Sequence, residues 1–176
     1  GWCWAPPDRC SKPRCSHWPK HGPRPFPVPV GPARYPGQRA RVGQAERVLV
    51  TGAGGSIGSE LVRQLARYNP SSLILLDRDE SALHSVQLTL DGSGLLTSNN
   101  LVLADIRDAE RILQIMQDTR PEIVFHAAAL KHLPLLEKFP EEAYKTNVLG
   151  TQNVLLAAKL AEVAIFVNIS TDKAAD

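Results

Sequence analysis

Cysteine is absent from residues 16–176 of this 176-residue chain, because Cys3, Cys10 and Cys15 all lie near its start. Disulfides therefore cannot hold the larger part of the chain together. A domain without disulfides is compatible with a reducing compartment, and we expect the protein to lie in the cytoplasm.

Long apolar runs are also absent. No stretch approaches the roughly 20 apolar residues that a membrane span requires, and the first 30 residues lack the apolar core of a secretory signal. We expect a soluble chain without a membrane span.

A clustered positive charge is missing where a folded domain is expected. Residues 41–176 carry thirteen basic and seventeen acidic side chains, whereas residues 1–40 carry seven basic and one acidic. Proteins that bind the phosphate backbone present a concentrated basic surface. Nucleic acid is therefore not an expected partner.

Proline is concentrated at the start, where ten of the fourteen prolines lie between Pro6 and Pro36. Because proline removes amide donors and interrupts helices, we expect residues 1–44 to form a disordered, basic, proline-rich tail. A zinc site built from Cys10, Cys15, His17 and His21 is the alternative. Its spacing fits no standard zinc module, so we expect no metal.

From residue 45 onward, short apolar runs alternate with helical periodicity. Strands are predicted at residues 48–50, 73–76, 101–103, 123–125 and 165–169. Three helices are predicted from apolar stripes, namely Ile57, Leu61, Val62 and Leu65, then Leu83, Val86 and Leu90, then Ala109, Ile112, Leu113 and Met116. A fourth is predicted at roughly 141–160, after a proline. Five strands and four helices in alternation predict an α/β, Rossmann-like, doubly wound parallel sheet over residues 45–176.

The strongest local signal is the sequence T-G-A-G-G-S-I-G at residues 51–58, between the first strand and the first helix. Gly52 suits a tight turn, Gly55 lets the backbone approach a diphosphate, and Gly58 lets the helix pack closely on the strand. Amides at the helix start, around Ser56 and Ile57, would then face the negative charge of the ligand. The pattern predicts dinucleotide binding.

Acidic residues end the next two strands. Asp77 lies nineteen residues after Gly58, where a carboxylate can accept both ribose hydroxyls, which favours NAD. Arg78 leaves NADP as the alternative, since a guanidinium there could bind a 2′-phosphate. Asp105 either meets the adenine edge or caps the turn, and Ile106, the next residue, is also expected to lie at the cofactor.

Three further segments carry a family resemblance: H-A-A-A-L-K-H at residues 126–132, K-T-N-V-L-G-T at 145–151 and N-I-S-T-D-K-A-A at 168–175. With the T-G-x-x-G-x-x-G loop, they resemble the extended short-chain dehydrogenase/reductase superfamily. Within it they resemble the polysaccharide-biosynthesis (CapD-like) branch, which includes UDP-N-acetylglucosamine 4,6-dehydratases. The resemblance runs from about residue 47 to residue 176.

The resemblance implies a catalytic segment after the fifth strand. Enzymes of this branch oxidise carbon 4 of the sugar, eliminate water across carbons 5 and 6, and return the hydride. By resemblance, Lys173 would be the base, Asp172 the acid, and Thr171 a hydrogen-bonding partner of the sugar. The implied substrate is a UDP-sugar.

The resemblance also assigns binding residues. Ala127, Ala128 and Ala129 would let the nicotinamide half of the cofactor lie against the backbone, and Asn147 would order the active-site lysine and its water. Lys131 and His132 would face the sugar nucleotide; in isolation they are typical of a basic loop.

One departure from the family pattern limits the expected activity. The superfamily's Y-x-x-x-K helix and its substrate domain do not occur in this sequence, nor do the membrane helices of longer relatives, which are anchored at the inner face of the membrane. We expect a truncated cofactor domain that binds NAD without turnover, so its status as an enzyme stays open. The alternatives are an epimerase or reductase of the same fold, or a non-catalytic dinucleotide-sensing module. Homo-oligomer formation also stays open.

Overall fold

The computed structural model describes residues 46–91 and 100–170. The expectations for the tail (residues 1–44), the zinc alternative and the proposed catalytic residues Thr171, Asp172 and Lys173 fall outside this part of the chain.

Within the described residues, five parallel strands form one sheet in the order β3-β2-β1-β4-β5. The strands are β1 (Arg47–Thr51), β2 (Ser72–Asp77), β3 (Leu101–Leu103), β4 (Ile123–His126) and β5 (Ile165–Asn168). Thr51 is in register with Leu76 on one side and with His126 on the other. The carboxyl ends of the central strands therefore meet at one edge, where such sheets bind ligands.

Helices cover both faces of the sheet. Helices α1 (Ser56–Ala66) and α2 (Glu80–Asp91) pack on one face, in a core that includes Val50, Val62 and Leu83. Helix α3 (Ala109–Thr119) packs on the other face, together with a helix that follows β4, around Leu49 and Ile112. Alternate residues of β1 thus enter different cores, as expected for a strand buried on both faces. The predicted doubly wound parallel sheet is confirmed.

The connection from β4 to β5 differs from the single predicted helix at 141–160. It contains α4 (Leu133–Lys138), α5 (Pro140–Ala143), a π-helical segment (Tyr144–Gly150) and α6 (Thr151–Leu160). Helix α4 was missed because no residue of it is buried, so it has no apolar stripe facing a core. The wider π turn was missed because apolar periodicity does not distinguish one π turn from an α-helix.

Two residues that were predicted to lie on buried helix stripes, Ile57 and Ala109, are exposed. Ile57 is 51% exposed because it lies in the first turn of α1, beyond the face that covers the sheet, whereas Val62 is fully buried. Ala109 is exposed at the start of α3, where the stripe begins only at Ile112. In the part of the chain described, no helix has both the length and the apolarity to cross a bilayer.

Candidate cofactor-binding site

The loop between β1 and α1 requires glycine at three positions. Gly52 has a φ of +69°, in the left-handed region that other residues rarely adopt. A Cβ at Gly58 would collide with the carbonyl oxygen of Gly52, and a Cβ at Gly54 would collide with the Cβ of Ala82 in α2. The loop is therefore held closely against both helices.

Gly55 is different, because it is exposed. The only atom that a Cβ at this position would approach is the carbonyl oxygen of Gly52, at 3.3 Å. Gly55 caps α1 without a side-chain hydrogen bond, and the first helical bond runs from Ser59 N to Gly55 O at 2.8 Å. The amides of Ser56, Ile57 and Gly58 precede the first intrahelical donor, Ser59 N, and so have no acceptor within the helix.

The start of α1 is suited to an anion. Gly55, Ser56 and Ile57 are exposed, and the first turn of α1 contains no acidic residue. Free amides and the positive end of the helix dipole both favour negative charge. A bare backbone at Gly55 leaves room for a diphosphate to approach, so the residues present fit a dinucleotide.

The segment after β4 lies against this loop. The N–H of Ala127 donates to the carbonyl oxygen of Thr51 at 3.0 Å, and a Cβ at Gly52 would lie 2.7 Å from the Cα of Ala128. Ala127 and Ala128 are half-buried, and Ala129 is exposed. The connections from β1 and β4 leave the sheet in opposite directions, so this crevice is the topological switch point where such sheets bind ligands.

Asp77 ends β2 with its carboxylate fixed by two backbone amides. Gly54 N donates to Oδ2 at 2.8 Å and Asp79 N donates to Oδ1 at 3.1 Å. The predicted ribose-binding carboxylate is therefore tied directly to the predicted phosphate loop. Gly54 was missing from the predicted site, since the need for glycine there comes from Ala82 and Asp77, which the local sequence does not reveal.

Asp105 belongs to a row of alternating charges. Arg107 lies 2.8 Å from Asp105 and also 2.8 Å from Glu142, while Arg78 lies 3.9 Å from Asp105. Burial raises the pKa of Asp105, but the hydrogen bonds and charge of Arg107, with the charge of Arg78, more than offset this and hold the pKa below its usual value. Asp105 Oδ1 accepts from Arg107 N at 2.9 Å, as the capping alternative expects. Contact with the adenine edge stays a prediction.

Ile106 is buried, so its side chain serves the core. A Cβ at Gly150 would lie 2.7 Å from the Cδ1 atom of Ile106, which accounts for a glycine at the end of the π segment. The carbonyl oxygen of Ile106 accepts a hydrogen bond from Asn153 Nδ2 at 3.0 Å.

Asn147 holds the loop that follows the alanines. Its Oδ1 accepts from Leu130 N at 2.8 Å and its Nδ2 donates to Leu130 O at 2.9 Å. Asn147 thus acts on the site through the backbone of Leu130. Its expected role in ordering a lysine and water stays a prediction.

Lys131 and His132 have different surroundings. The Nζ atom of Lys131 lies 3.5 Å from Ser56 Oγ, which brings its charge to the start of α1. His132 is exposed and precedes α4 as its N-cap residue. Of the two predicted sugar-binding residues, the structure therefore brings Lys131 to the diphosphate end of the site.

His126 is a buried residue that the sequence analysis did not assign to the site. It is 2% exposed, with Nδ1 2.7 Å from Thr51 Oγ1 and Nε2 3.0 Å from Thr151 Oγ1. Burial lowers the pKa of His126 to about 4, so the imidazole is neutral at pH 7. The sequence signal that could have identified His126 is its position as the only polar residue of the otherwise apolar strand β4.

The end of β5 lies beside His126. Ile169 N donates to His126 O at 2.9 Å, which holds the end of β5 at the same sheet edge as the glycine loop. Within residues 46–91 and 100–170, no group of three or more His, Cys, Asp or Glu side chains is placed to hold a metal ion.

The sequence profile of a family described as "Polysaccharide biosynthesis protein" matches residues 48–176. The chain belongs to this family. Members with curated names include the capsular polysaccharide biosynthesis protein CapD of Staphylococcus aureus, which is 48% identical over 128 residues. The match covers 72% of this chain and 21% of CapD.

A second relative has a more specific name. The UDP-N-acetylglucosamine 4,6-dehydratase (inverting) of Campylobacter jejuni is 37% identical over 132 residues, which cover 73% of this chain and 37% of the enzyme. The chain therefore spans well under half of these curated relatives.

A solved structure supports the fold of this family member. The UDP-glucose 4-epimerase of Stenotrophomonas maltophila, with bound NAD and formylated UDP-arabinopyranose, superposes with a TM-score of 0.63 at 30% identity. The superposition covers 73% of this chain and 38% of the epimerase.

Proposed function

We propose that residues 45–176 are the NAD-binding part of a cytoplasmic nucleotide-sugar 4,6-dehydratase of polysaccharide biosynthesis, acting on a substrate of the UDP-N-acetylglucosamine type. The observation that carries this proposal is the start of α1, which is exposed at the switch point and has no acidic residue in its first turn. Gly52, in the loop before this helix, lies close against Ala128. The similarity to the dehydratase of Campylobacter jejuni supports the choice of reaction.

The diphosphate of NAD would lie on the amides of Ser56, Ile57 and Gly58. Lys131 would add a positive charge, since its Nζ is within 3.5 Å of Ser56 Oγ. A charge-assisted hydrogen bond contributes about 1.5–3 kcal/mol, so a few of them supply micromolar affinity before entropic costs. The exposed Ile57 would cover the diphosphate from solvent.

The two ends of NAD would lie on either side of this loop. Asp77 would accept the hydroxyls of the adenosine ribose, and Ala127, Ala128 and Ala129 would face the nicotinamide half. When bound, NAD would supply an acceptor for the hydride from carbon 4 of the sugar and the source of the hydride that is returned. NAD is favoured over NADP because Asp77 would repel a 2′-phosphate.

Thr171, Asp172 and Lys173 would perform the proton transfers. They follow β5, whose end is held beside His126 by the bond from Ile169 N. In this proposal Lys173 removes the proton next to the new carbonyl, Asp172 protonates the departing hydroxyl, and Thr171 hydrogen-bonds the sugar.

The cofactor proposal is tested by calorimetric titration of the 176-residue chain with NAD. Gly55→Ala adds a methyl group that meets only Gly52 O, at 3.3 Å, so the fold should survive while the diphosphate is displaced. We expect a loss of affinity of about tenfold or more, the equivalent of one such hydrogen bond. Ser59→Ala, one turn further along α1, is the matched control. Unchanged affinity in Gly55→Ala would show that the diphosphate does not bind at this loop.

The expected inactivity of the 176-residue chain is tested by incubating it with NAD and UDP-N-acetylglucosamine. Because the chain spans 37% of the related dehydratase, we expect NAD binding without a 4-keto product. Product formation would contradict this expectation of inactivity.

Epimerisation is the second candidate reaction, and the superposition on the NAD-bound epimerase of Stenotrophomonas maltophila favours it. A dehydratase releases a product lighter by one water, whereas an epimerase does not change the mass. Mass spectrometry of the product made by a longer chain that contains residues 45–176 separates the two.

A further inference from the structure

His126 joins three elements of the site. Thr51, which it contacts through Nδ1, is the last residue of β1 and directly precedes Gly52. Thr151, which it contacts through Nε2, is the first residue of α6 and follows the π segment. His126 itself directly precedes Ala127.

The two hydrogen bonds depend on each other. A neutral imidazole has one N–H donor and one acceptor nitrogen, so one threonine hydroxyl donates to the ring and the other accepts from it. Thr51 is fully buried and His126 nearly so, which leaves solvent unable to replace a lost bond. We call the two bonds, from Thr51 through His126 to Thr151, the bridge. An unsatisfied buried hydroxyl is costly, so the bridge favours one arrangement of the three elements.

These elements carry the two halves of the proposed cofactor site. Thr51 leads into the diphosphate loop, whereas Thr151 is anchored to the π segment whose Asn147 holds Leu130 behind the alanines. We propose that His126 is a positioning residue that fixes the diphosphate loop relative to the nicotinamide side of the site. This inference rests on the proposed NAD binding.

The bridge should matter only for ligands that reach past the adenosine. Adenosine would contact Asp77, at the end of β2, whose carboxylate accepts hydrogen bonds from Gly54 N and Asp79 N rather than from His126 or either threonine. NAD would span both the glycine loop and residues 127–129. Loss of the bridge should therefore weaken NAD binding selectively, whereas a general loss of structure would weaken both ligands.

His126→Phe tests this, since it keeps a ring that can pack on Phe166 but removes both hydrogen bonds. His126→Asn keeps an amide near the Nδ1 position and removes only the bond to Thr151. NAD and adenosine affinities are measured by calorimetry and by NMR titration of the full 176-residue chain. We expect NAD affinity to fall about tenfold in His126→Phe and less in His126→Asn, with adenosine affinity within about twofold of the original.

Thr151→Val keeps the inference testable if His126→Phe does not fold, because it removes one hydroxyl and preserves the shape of the side chain. Its matched control is Thr89→Val, an exposed site on α2 where the hydroxyl bonds within its own helix. We expect a several-fold loss of NAD affinity in Thr151→Val only. We also expect the ¹⁵N shifts of the His126 ring to change, because Nε2 loses its partner.

Equal losses for NAD and adenosine, or NAD affinity unchanged in a folded Thr151→Val chain, would overturn the positioning role and leave NAD binding intact. Absence of NAD binding in the unaltered chain would overturn both this inference and the proposed function.

Discussion

Asp77 and Gly54 are joined by a hydrogen bond of 2.8 Å from the backbone N–H of Gly54 to Oδ2 of Asp77. The carboxylate at the end of β2 thus has two tasks, since it fixes the glycine loop and would face the adenosine ribose. A substitution that removes its charge but keeps its shape separates these tasks.

Asp77→Asn should shift the cofactor preference towards NADP. The amide oxygen can still accept from Gly54 N, which keeps the glycine loop in place, while the bond from Asp79 N to the other oxygen is lost. The repulsion of a 2′-phosphate disappears with the charge. Two unit charges about 4 Å apart repel by roughly 4 kcal/mol at an effective dielectric near 20. Since Asp77 lies near solvent, we expect a smaller effect, an increase of about tenfold in the ratio of NADP to NAD affinity.

Calorimetry with both dinucleotides measures this ratio. Asp79→Asn is the control, because Asp79 caps α2 through its bond with Ala82 N and would not face the ribose. A ratio that stays constant in Asp77→Asn would show that Asp77 does not face the adenosine ribose.

Gly54→Ala should destabilise the fold, in contrast to Gly55→Ala. The new methyl group would collide with the Cβ of Ala82, and neither backbone can move easily, because Gly54 is tied to Asp77. Overpacking of this kind costs about 1–3 kcal/mol. Urea unfolding of both variants measures the difference. A Gly54→Ala chain as stable as Gly55→Ala would mean that α2 does not approach the loop so closely.

The sequence predicted those parts of the site that depend on residues adjacent in the chain. The run of apolar residues in β1 and the turn at Gly52 could be predicted from the local sequence, and the structure agrees with both. The approach of a diphosphate to the bare backbone at Gly55 stays a prediction. The need for glycine at Gly54 could not be read, because it comes from Ala82 in the next crossover.

The π segment shows the same limit. Pro140 and the acidic residues after it correctly indicated a helix start, but nothing in the local periodicity indicated a widened turn. Two residues that this turn approaches, Leu130 and Ile106, belong to other connections. Polar bridges such as Thr51 to His126 were missed for the same reason, since their two ends lie seventy-five residues apart.

Gly150→Ala gives a test of packing in the π segment. Alanine is favoured over glycine inside a helix by about 1 kcal/mol, but its Cβ would lie 2.7 Å from Ile106 Cδ1. Overpacking of about 1–3 kcal/mol outweighs this gain, so we expect net destabilisation. In an Ile106→Ala background the methyl group enters vacated space, and the same change should stabilise the chain.

The double-mutant cycle is measured by urea unfolding. Additive effects of the two substitutions would contradict direct contact between Gly150 and Ile106, because coupled changes are expected only for residues that touch.

Acid should destabilise the chain through His126 at a pH above the range where most carboxylates titrate. Burial lowers the pKa of His126 from 6.5 to about 4. The unfolded chain therefore binds more protons than the folded chain between these values, and the free energy of unfolding falls as the pH falls from about 6.5 towards 4. Between pH 7 and pH 5 this amounts to a loss of about 2 kcal/mol.

The carboxylates contribute in the same direction but lower on the pH scale. The Arg63 and Gln64 hydrogen bonds lower the pKa of Glu60 to about 2, and the pKa values of Asp105 and Glu142 also lie below their usual values. Stability that these groups provide is lost as the pH falls through their folded pKa values. The loss of stability between pH 7 and pH 5 is therefore expected to come mainly from His126.

Urea unfolding at pH 7 and pH 5 tests this assignment. The unaltered chain should lose about 2 kcal/mol between the two conditions, and His126→Phe should lose much less, whatever its stability at pH 7. His132→Gln, which removes an exposed histidine, should keep the dependence of the unaltered chain. If His126→Phe shows the full loss, then His126 is not held neutral by burial between Thr51 and Thr151.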